Sequence, residues 1–504
     1  MTQRNAGRIL ALGLTLGLAF DLLFNGKMPG ISVLLFAALL LVGVALSARW
    51  EAVRPLKANL WLALAVVVFA AMSVIRANGF LILLNVSVCL GLLSLIVVCL
   101  MHRPVAGLAV PEVFLAPLQA LGMSLYDGIR LAAQARRCDL ASVPRPSRRT
   151  VLPVVRGLLL ALPILALFIA LLASADLIFG DYVRRILAPD VLATLWSWGK
   201  HGLLITLIGV PAAGGLAYAA RARQAKTASE PVWVSPPRFI GGTEALVVTN
   251  SVNALFLLFV GIQLPYLFGG LVNITAARYT YAEYARRGFA ELVMVAILTL
   301  GLIYLLRTVA RLESPAAVRV FNFSGTLLVS LTCVMLASAF KRLLLYETAY
   351  GFTQTRLYVH VFMVWLALLL AWFAWTLWRR PERFAVGLLI AVLGFVLTLD
   401  VLNPDALIVQ QNVERYRVLF PGISWGGTTG NSIDVQYLTW LSDDAVPALV
   451  SLADASSGET RDILEAHLRQ RLVDRQQDRS WQSWQSFHFS RWNAYRLLQS
   501  RYGG

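Results

Sequence analysis

The sequence predicts an all-α fold: a polytopic transmembrane helical bundle of about eleven spans with a small α-helical C-terminal domain. Three observations carry this reading. Hydrophobic residues make up 58% of the 504 positions and charged residues 14%, against about 25% charged in soluble domains. A soluble surface so composed would expose far too much hydrocarbon to water, a cost that lipid contact removes. Apolar runs recur along residues 1–403, each close to the roughly 20 residues that a helix needs to cross hydrocarbon. Basic residues gather in the short connections, as they do in cytoplasmic loops of membrane proteins.

The runs fall at about 8–24, 30–48, 58–76, 79–101, 153–175, 193–219, 239–267, 288–306, 324–340, 357–378 and 383–400, placed by unbroken hydropathy rather than by caps. The first and the ninth are short, which predicts tilted, interrupted or re-entrant segments there. The first run lacks a small-residue cleavage site, carries Asp21 and leads at once into further spans, so it is expected to stay as an anchor. With the N-terminus inside, the inner connections hold 22 basic residues and the outer ones 10. That bias sets the N-terminus in the cytoplasm, and an odd number of spans then puts the C-terminus outside.

The inner connection at 102–152 contains Pro111, Pro117, Pro144 and Pro146. Its part from Leu118 to Ala135 reads as an amphipathic helix on the membrane surface, with Arg145, Arg148 and Arg149 near anionic head groups. A solvated stop-transfer cluster reads equally well. Residues 404–504 have ordinary soluble composition and form the expected C-terminal domain. Within it, Ser442 before Asp443 and Asp444 is a helix N-cap with acidic first-turn residues. Further helices are expected over Asp462 to Val473 and Trp481 to Ser500, the latter aromatic enough to pack internally, dock a partner or touch the bilayer interface.

The net charge of +17 suggests nucleic acid, but its distribution argues against it. Residues 404–504 hold 10 basic and 11 acidic residues, while residues 1–403 hold 34 and 16. The excess therefore sits in loops between spans. The expected partners are membrane lipids and an envelope protein reached through the C-terminal domain, with no nucleic acid. Cys89, Cys99, Cys138 and Cys333 lack metal-ligand spacing and suggest no disulfide framework. His102, His201, His360, His467 and His488 are scattered, so neither a metal site nor a cofactor is indicated. Zincin, P-loop and dinucleotide-binding motifs are missing from the sequence.

Polar groups inside spans are costly and are candidates by default. The seventh run is the densest, with Glu244, Asn250, Asn253 and Gln263 on more than one face. This predicts burial or a watery lining; interhelical hydrogen bonding is the plainer alternative. A second group falls at one membrane face: Glu283, Arg286, Arg287, Glu291, Arg342, Tyr346, Glu347, Tyr350 and His360. The arginine fork reads carboxylate and phosphate well, so the group is a candidate site for an anionic lipid or sugar-phosphate. A belt of interfacial anchors and structural ion pairs is the rival reading.

Several stretches carry a family resemblance: Thr280 to Phe289, Lys341 to Thr353, Arg356 to Leu366, Asn403-Pro404-Asp405-Ala406, and Leu441-Ser442-Asp443-Asp444-Ala445-Val446-Pro447-Ala448-Leu449. They resemble the uncharacterised family called domain of unknown function four-one-seven-three, close to family four-one-five-three. The resemblance spans roughly Asp21 to the tail. It implies a bacterial polytopic protein of the cytoplasmic (inner) membrane and brings no established activity. Three classes of function follow as expectations: binding or transport of an anionic or envelope-related solute, an enzyme acting on a lipid-linked envelope substrate, or a non-enzymatic sensor or scaffold. In the enzyme class, Glu283 or Glu291 is the acid or base and Arg287 and Arg342 clamp the anion.

Overall fold

A computed structural model describes residues 3–99, 104–139, 189–221, 237–268, 289–419, 434–478 and 480–503. Sixteen α-helices run through these segments: α1 (Gln3–Phe24), α2 (Ile31–Trp50), α3 (Trp61–Ile75), α4 (Gly79–Cys99), α5 (Val110–Asp139), α6 (Pro189–Arg221), α7 (Gly242–Phe268), α8 (Phe289–Val309), α9 (Pro315–Tyr350), α10 (Gln354–Trp378), α11 (Phe384–Leu402), α12 (Pro404–Leu419), α13 (Val435–Thr439), α14 (Val446–Ala455), α15 (Gly458–Gln477) and α16 (Phe489–Tyr502). Strand is limited, among the described residues, to one parallel pair of two residues each, β1 (Ile240–Gly241) and β2 (Ala310–Arg311).

Ten helical segments among the described residues are long and apolar enough to cross a membrane. They coincide with ten of the eleven predicted runs; the run at 153–175 lies outside the described residues. The expectation of short or interrupted first and ninth spans is corrected. Helix α1 has 22 residues and α9 has 36, both continuous. At roughly 1.5 Å per residue, α9 extends well beyond a hydrocarbon layer of about 30 Å. Hydropathy ended the ninth run at Lys341, but backbone bonding and caps set a helix's length. Ser314 Oγ accepts from Ala317 N at 3.0 Å, Pro315 occupies the first turn, and Gly351 closes the helix at φ +79. Lys341 and Arg342 therefore sit inside α9.

Two compact units divide the chain. The first comprises residues 1–26, 38–55 and 118–225, and so contains α1, most of α2, most of α5 and α6. Close helix approach in it rests on small residues, as in membrane helix pairs generally. A Cβ on Gly17 would stand 2.2 Å from the Ile205 carbonyl oxygen, and one on Gly214 would stand 1.8 Å from that of Ser124. Helix α5 includes the predicted amphipathic stretch, and Leu118, Leu121, Leu125 and Ile129 form an exposed apolar stripe on it. Replacing Gly17 by Leu is expected to destabilise this unit by about 1–3 kcal/mol, because a carbonyl cannot rotate aside. Gly7→Leu, at an open position of the same helix, should leave the melting temperature in detergent unchanged. Equal melting of both variants would contradict the packing.

The second unit holds residues 27–37, 56–117 and 226–504. Here α9 is central, with α7, α8 and α10 packed on it; α11 then joins α10 to α4, and α4 pairs with α3. Phe321, Leu328 and Leu343 of α9 meet Ile303 of α8 and Met363 and Leu370 of α10 in one fully buried core. Amide side chains bridge these helices: Asn253 Nδ2 donates to Ser324 O at 3.0 Å and Asn322 Nδ2 to Leu377 O at 2.7 Å. Such bonds contribute roughly 0.6–2 kcal/mol each.

Helices α12 to α16 share a second core built on Ile408, Leu438, Leu449, Leu464, Leu468 and Leu498, which also takes in Leu357 of α10. The helix expected over Asp462 to Val473 is α15, longer at both ends. The one expected from Trp481 starts later, at Phe489, because a 3-10 turn over Trp484–Ser486 and extended backbone at His488 precede it. Trp481 packs inward, its ring 5.1 Å from Tyr495 and its Nε1 donating to Arg475 O at 2.8 Å.

Candidate functional site

The break between α9 and α10 gathers several of the predicted residues. Gly351 turns the chain with positive φ, and a Cβ there would meet Asn412 Oδ1 at 2.5 Å. Asn412 of α12 clasps the same turn, accepting from Phe352 N at 2.8 Å and donating to Phe352 O at 2.9 Å. Arg356 donates to Gly351 O and lies 4.2 Å from the centre of the Tyr346 ring, a cation–π contact. Tyr346 in turn packs on Tyr350 at 4.9 Å. From α12, Arg415 Nε donates to Thr348 O at 2.8 Å. Burial and the Arg356 guanidinium push the Arg415 pKa down, so the turn holds two cations near one another.

One helical turn inside this break, Glu347 is 1% exposed. Its Oε1 lies 3.0 Å from His360 Nδ1. The contact is one of distance rather than of hydrogen-bond alignment, and neither carboxylate oxygen has an aligned donor among the described residues. The His360 ring packs on Phe340 at 4.6 Å, and its Nε2 lacks a partner among the described residues. An acid and an imidazole inside a helix pair, with acceptor and donor capacity left over, are uncommon in a membrane interior.

The other predicted residues are dispersed. Arg342 is half-buried one turn before Tyr346, and Glu291 is exposed in the first turn of α8. Glu283, Arg286 and Arg287 lie outside the described residues, as does the side chain of Gln263. Glu244 is exposed and accepts from Gly241 N at 2.9 Å, completing the N-terminus of α7. Asn250 is exposed, whereas Asn253 makes the interhelical bond to Ser324.

A denser polar network surrounds the Arg76–Asn78 connection between α3 and α4. Asp444 Oδ2 accepts from Ala77 N at 2.7 Å and Asn78 N at 2.9 Å. Asp405 accepts from Asn78 Nδ2 at 3.1 Å, Gln354 Nε2 at 2.6 Å and Ser442 N at 3.0 Å, so one carboxylate, 1% exposed, ties four segments. Next to it, Arg76 Nε donates to Asp400 O at 2.5 Å, and Asn85 Nδ2 donates to Asp400 Oδ1 at 2.9 Å inside the spans. His488 Nε2 and Ser490 Oγ reach Arg76 O and Ile75 O, both at 2.6 Å. Charge and capping mark Asp444 only as a first-turn acid after Ser442, and they do not mark Asp405, Asn78 or His488. The sequence signal for them is the family resemblance carried by Asn403-Pro404-Asp405-Ala406 and Leu441 to Leu449, which contain Asp405 and Asp444, the acids that hold the connection.

The long apolar helices, their amide bridges and the buried polar groups between them define a multi-pass integral membrane protein with an all-α fold. The chain belongs to the family described as Domain of unknown function (DUF4153), whose model matches residues 63–452. The family shown is thus four-one-five-three rather than four-one-seven-three, the number the motifs suggested first. No curated protein and no solved structure matches the chain.

Proposed function

We propose that this chain is a membrane-embedded binding or transport protein for an anionic solute, engaged at the break between α9 and α10. One observation carries the reading: Arg356 and Arg415 are drawn together around Gly351, each anchored on a backbone carbonyl. A guanidinium carries five N–H donors in a planar fork that suits a carboxylate or phosphate. Tyr346, Glu347, Tyr350 and His360 form the wall behind it, and Glu283, Arg286, Arg287, Glu291 and Arg342 are proposed to complete the site. The setting proposed is a bacterial cytoplasmic membrane, with the N-terminus inside and the C-terminal helices outside, open to an envelope protein. A reporter after Gly504 that is active in the cytosol would overturn that topology.

The binding test uses the full chain in lipid nanodiscs, with tryptophan fluorescence titrated by inorganic phosphate, glycerol phosphate and succinate. Saturable binding of at least one is expected, weakened about tenfold or more in Arg356→Gln and Arg415→Gln, since a bond to a charged group contributes about 1.5–3 kcal/mol. Unaltered binding in both variants, or none in the wild type, removes the reading. Flux of the bound anion into proteoliposomes then separates transport from binding.

A further inference from the structure

At the far end of α10 from Arg356 lies a cavity of about 330 Å³, walled by the ends of α8 and α10, the start of α11 and the turn before α5. That volume is at the small end of ligand sites, about 300–1,000 Å³. Leu108, Phe373 and Leu377 supply apolar lining, and Arg238 and Arg307 line the same cavity. Glu382 also lines it, exposed, so two guanidinium groups and one carboxylate border the cavity. The backbone at Arg238 is held in place: β1 pairs with β2 from two residues further on, and Arg311 Nε donates to Arg238 O at 2.5 Å. Backbone donors at the rim are already committed, Gly107 N to Pro104 O at 3.0 Å and Ala109 N to Glu112 Oε2 at 2.8 Å. Recognition therefore falls to the arginines.

We infer that this cavity binds a phosphate group bearing a short apolar portion, gripped by Arg238 and Arg307 with its carbon skeleton against Leu108, Phe373 and Leu377. Fork geometry favours phosphate oxygens over a halide or a lone point charge. A lining that combines hydrocarbon with two guanidinium groups suits an amphiphile. The position at the helix ends suits a phospholipid head group, and glycerol phosphate in solution offers the same chemistry. The inference is independent of the site at the α9–α10 break.

The test is native mass spectrometry of the full chain in detergent, titrated with phosphatidylglycerol, phosphatidylcholine or glycerol phosphate. One equivalent of phosphatidylglycerol or of glycerol phosphate is expected to bind at least tenfold more tightly to the wild type than to Arg238→Gln/Arg307→Gln. Arg307→Lys should recover part of the loss, and the dependence on Arg238 and Arg307 should persist in an Arg356→Gln background, where the site at the α9–α10 break is weakened. Preference for the lipid identifies a head-group site, and preference for glycerol phosphate a solute site. Arg238→Gln alone tests the inference if the double variant does not fold, because Arg238 is exposed and lies outside the helices. Equal affinity in wild type and Arg238→Gln, or no one-to-one binding of either phosphate ligand, overturns it.

Discussion

Asp444→Ala is expected to cost about 2–5 kcal/mol and to loosen the α3–α4 connection from the C-terminal helices. The substitution strands two backbone donors, Ala77 N and Asn78 N, that now share one carboxylate oxygen. A buried donor without an acceptor costs about 1–3 kcal/mol. Asp444→Asn should be tolerated far better, and the reason is a proton count. Ser490 Oγ has one hydrogen but approaches two oxygens, Ile75 O at 2.6 Å and Asp444 Oδ1 at 2.5 Å. Both contacts are satisfied at once when Asp444 carries a proton of its own and donates it to Ser490, and burial pushes the Asp444 pKa up in that direction. Asparagine reproduces this pattern with its amide, the carbonyl facing the backbone and the NH2 facing Ser490. Thermal unfolding in detergent checks the order. Asn and Ala variants that melt together would show that the carboxylate does not hold the connection.

Acidification should weaken the same junction through His488, which is 2% exposed and donates from Nε2 to Arg76 O at 2.6 Å. Burial, and then the Arg491 and Arg475 charges, hold its pKa down from 6.5 to about 4. Between those values the unfolded chain takes up a proton that the folded one refuses. Stability is therefore full above pH 6.5 and falls as pH drops towards 4, by at most about 3 kcal/mol. Asp444, with its raised pKa, acts in the opposite sense: the folded state holds a proton there that the unfolded state has released. The comparison that isolates His488 is accordingly wild type against His488→Gln, which keeps a donor for Arg76 O. The wild type should lose melting temperature more steeply than the variant from pH 7 to pH 4.5. Parallel curves would refute the assignment.

Much of the fold was legible because its causes are local. Lipid solvation demands uninterrupted apolar length, and that length can be read residue by residue. Helix ends were less legible: Lys341 and Arg342 looked like the edge of a span, yet Ser314 and Gly351 decide where α9 begins and ends. Of the predicted site, Tyr346, Glu347, Tyr350 and His360 come together because they flank a single chain break. Asn253 turns out to bind a helix carbonyl, and Glu244 to finish a helix end.

From composition and order of residues alone followed the solvent, the helical class and the approximate number of crossings, since each depends on a property summed over one stretch of chain. Only the tertiary structure decided which polar groups meet. Asp444 and Asn78 stand 366 positions apart, and Arg356 and Arg415 belong to different helices. Their encounter depends on how helices pack, a relation between distant segments that no single stretch encodes.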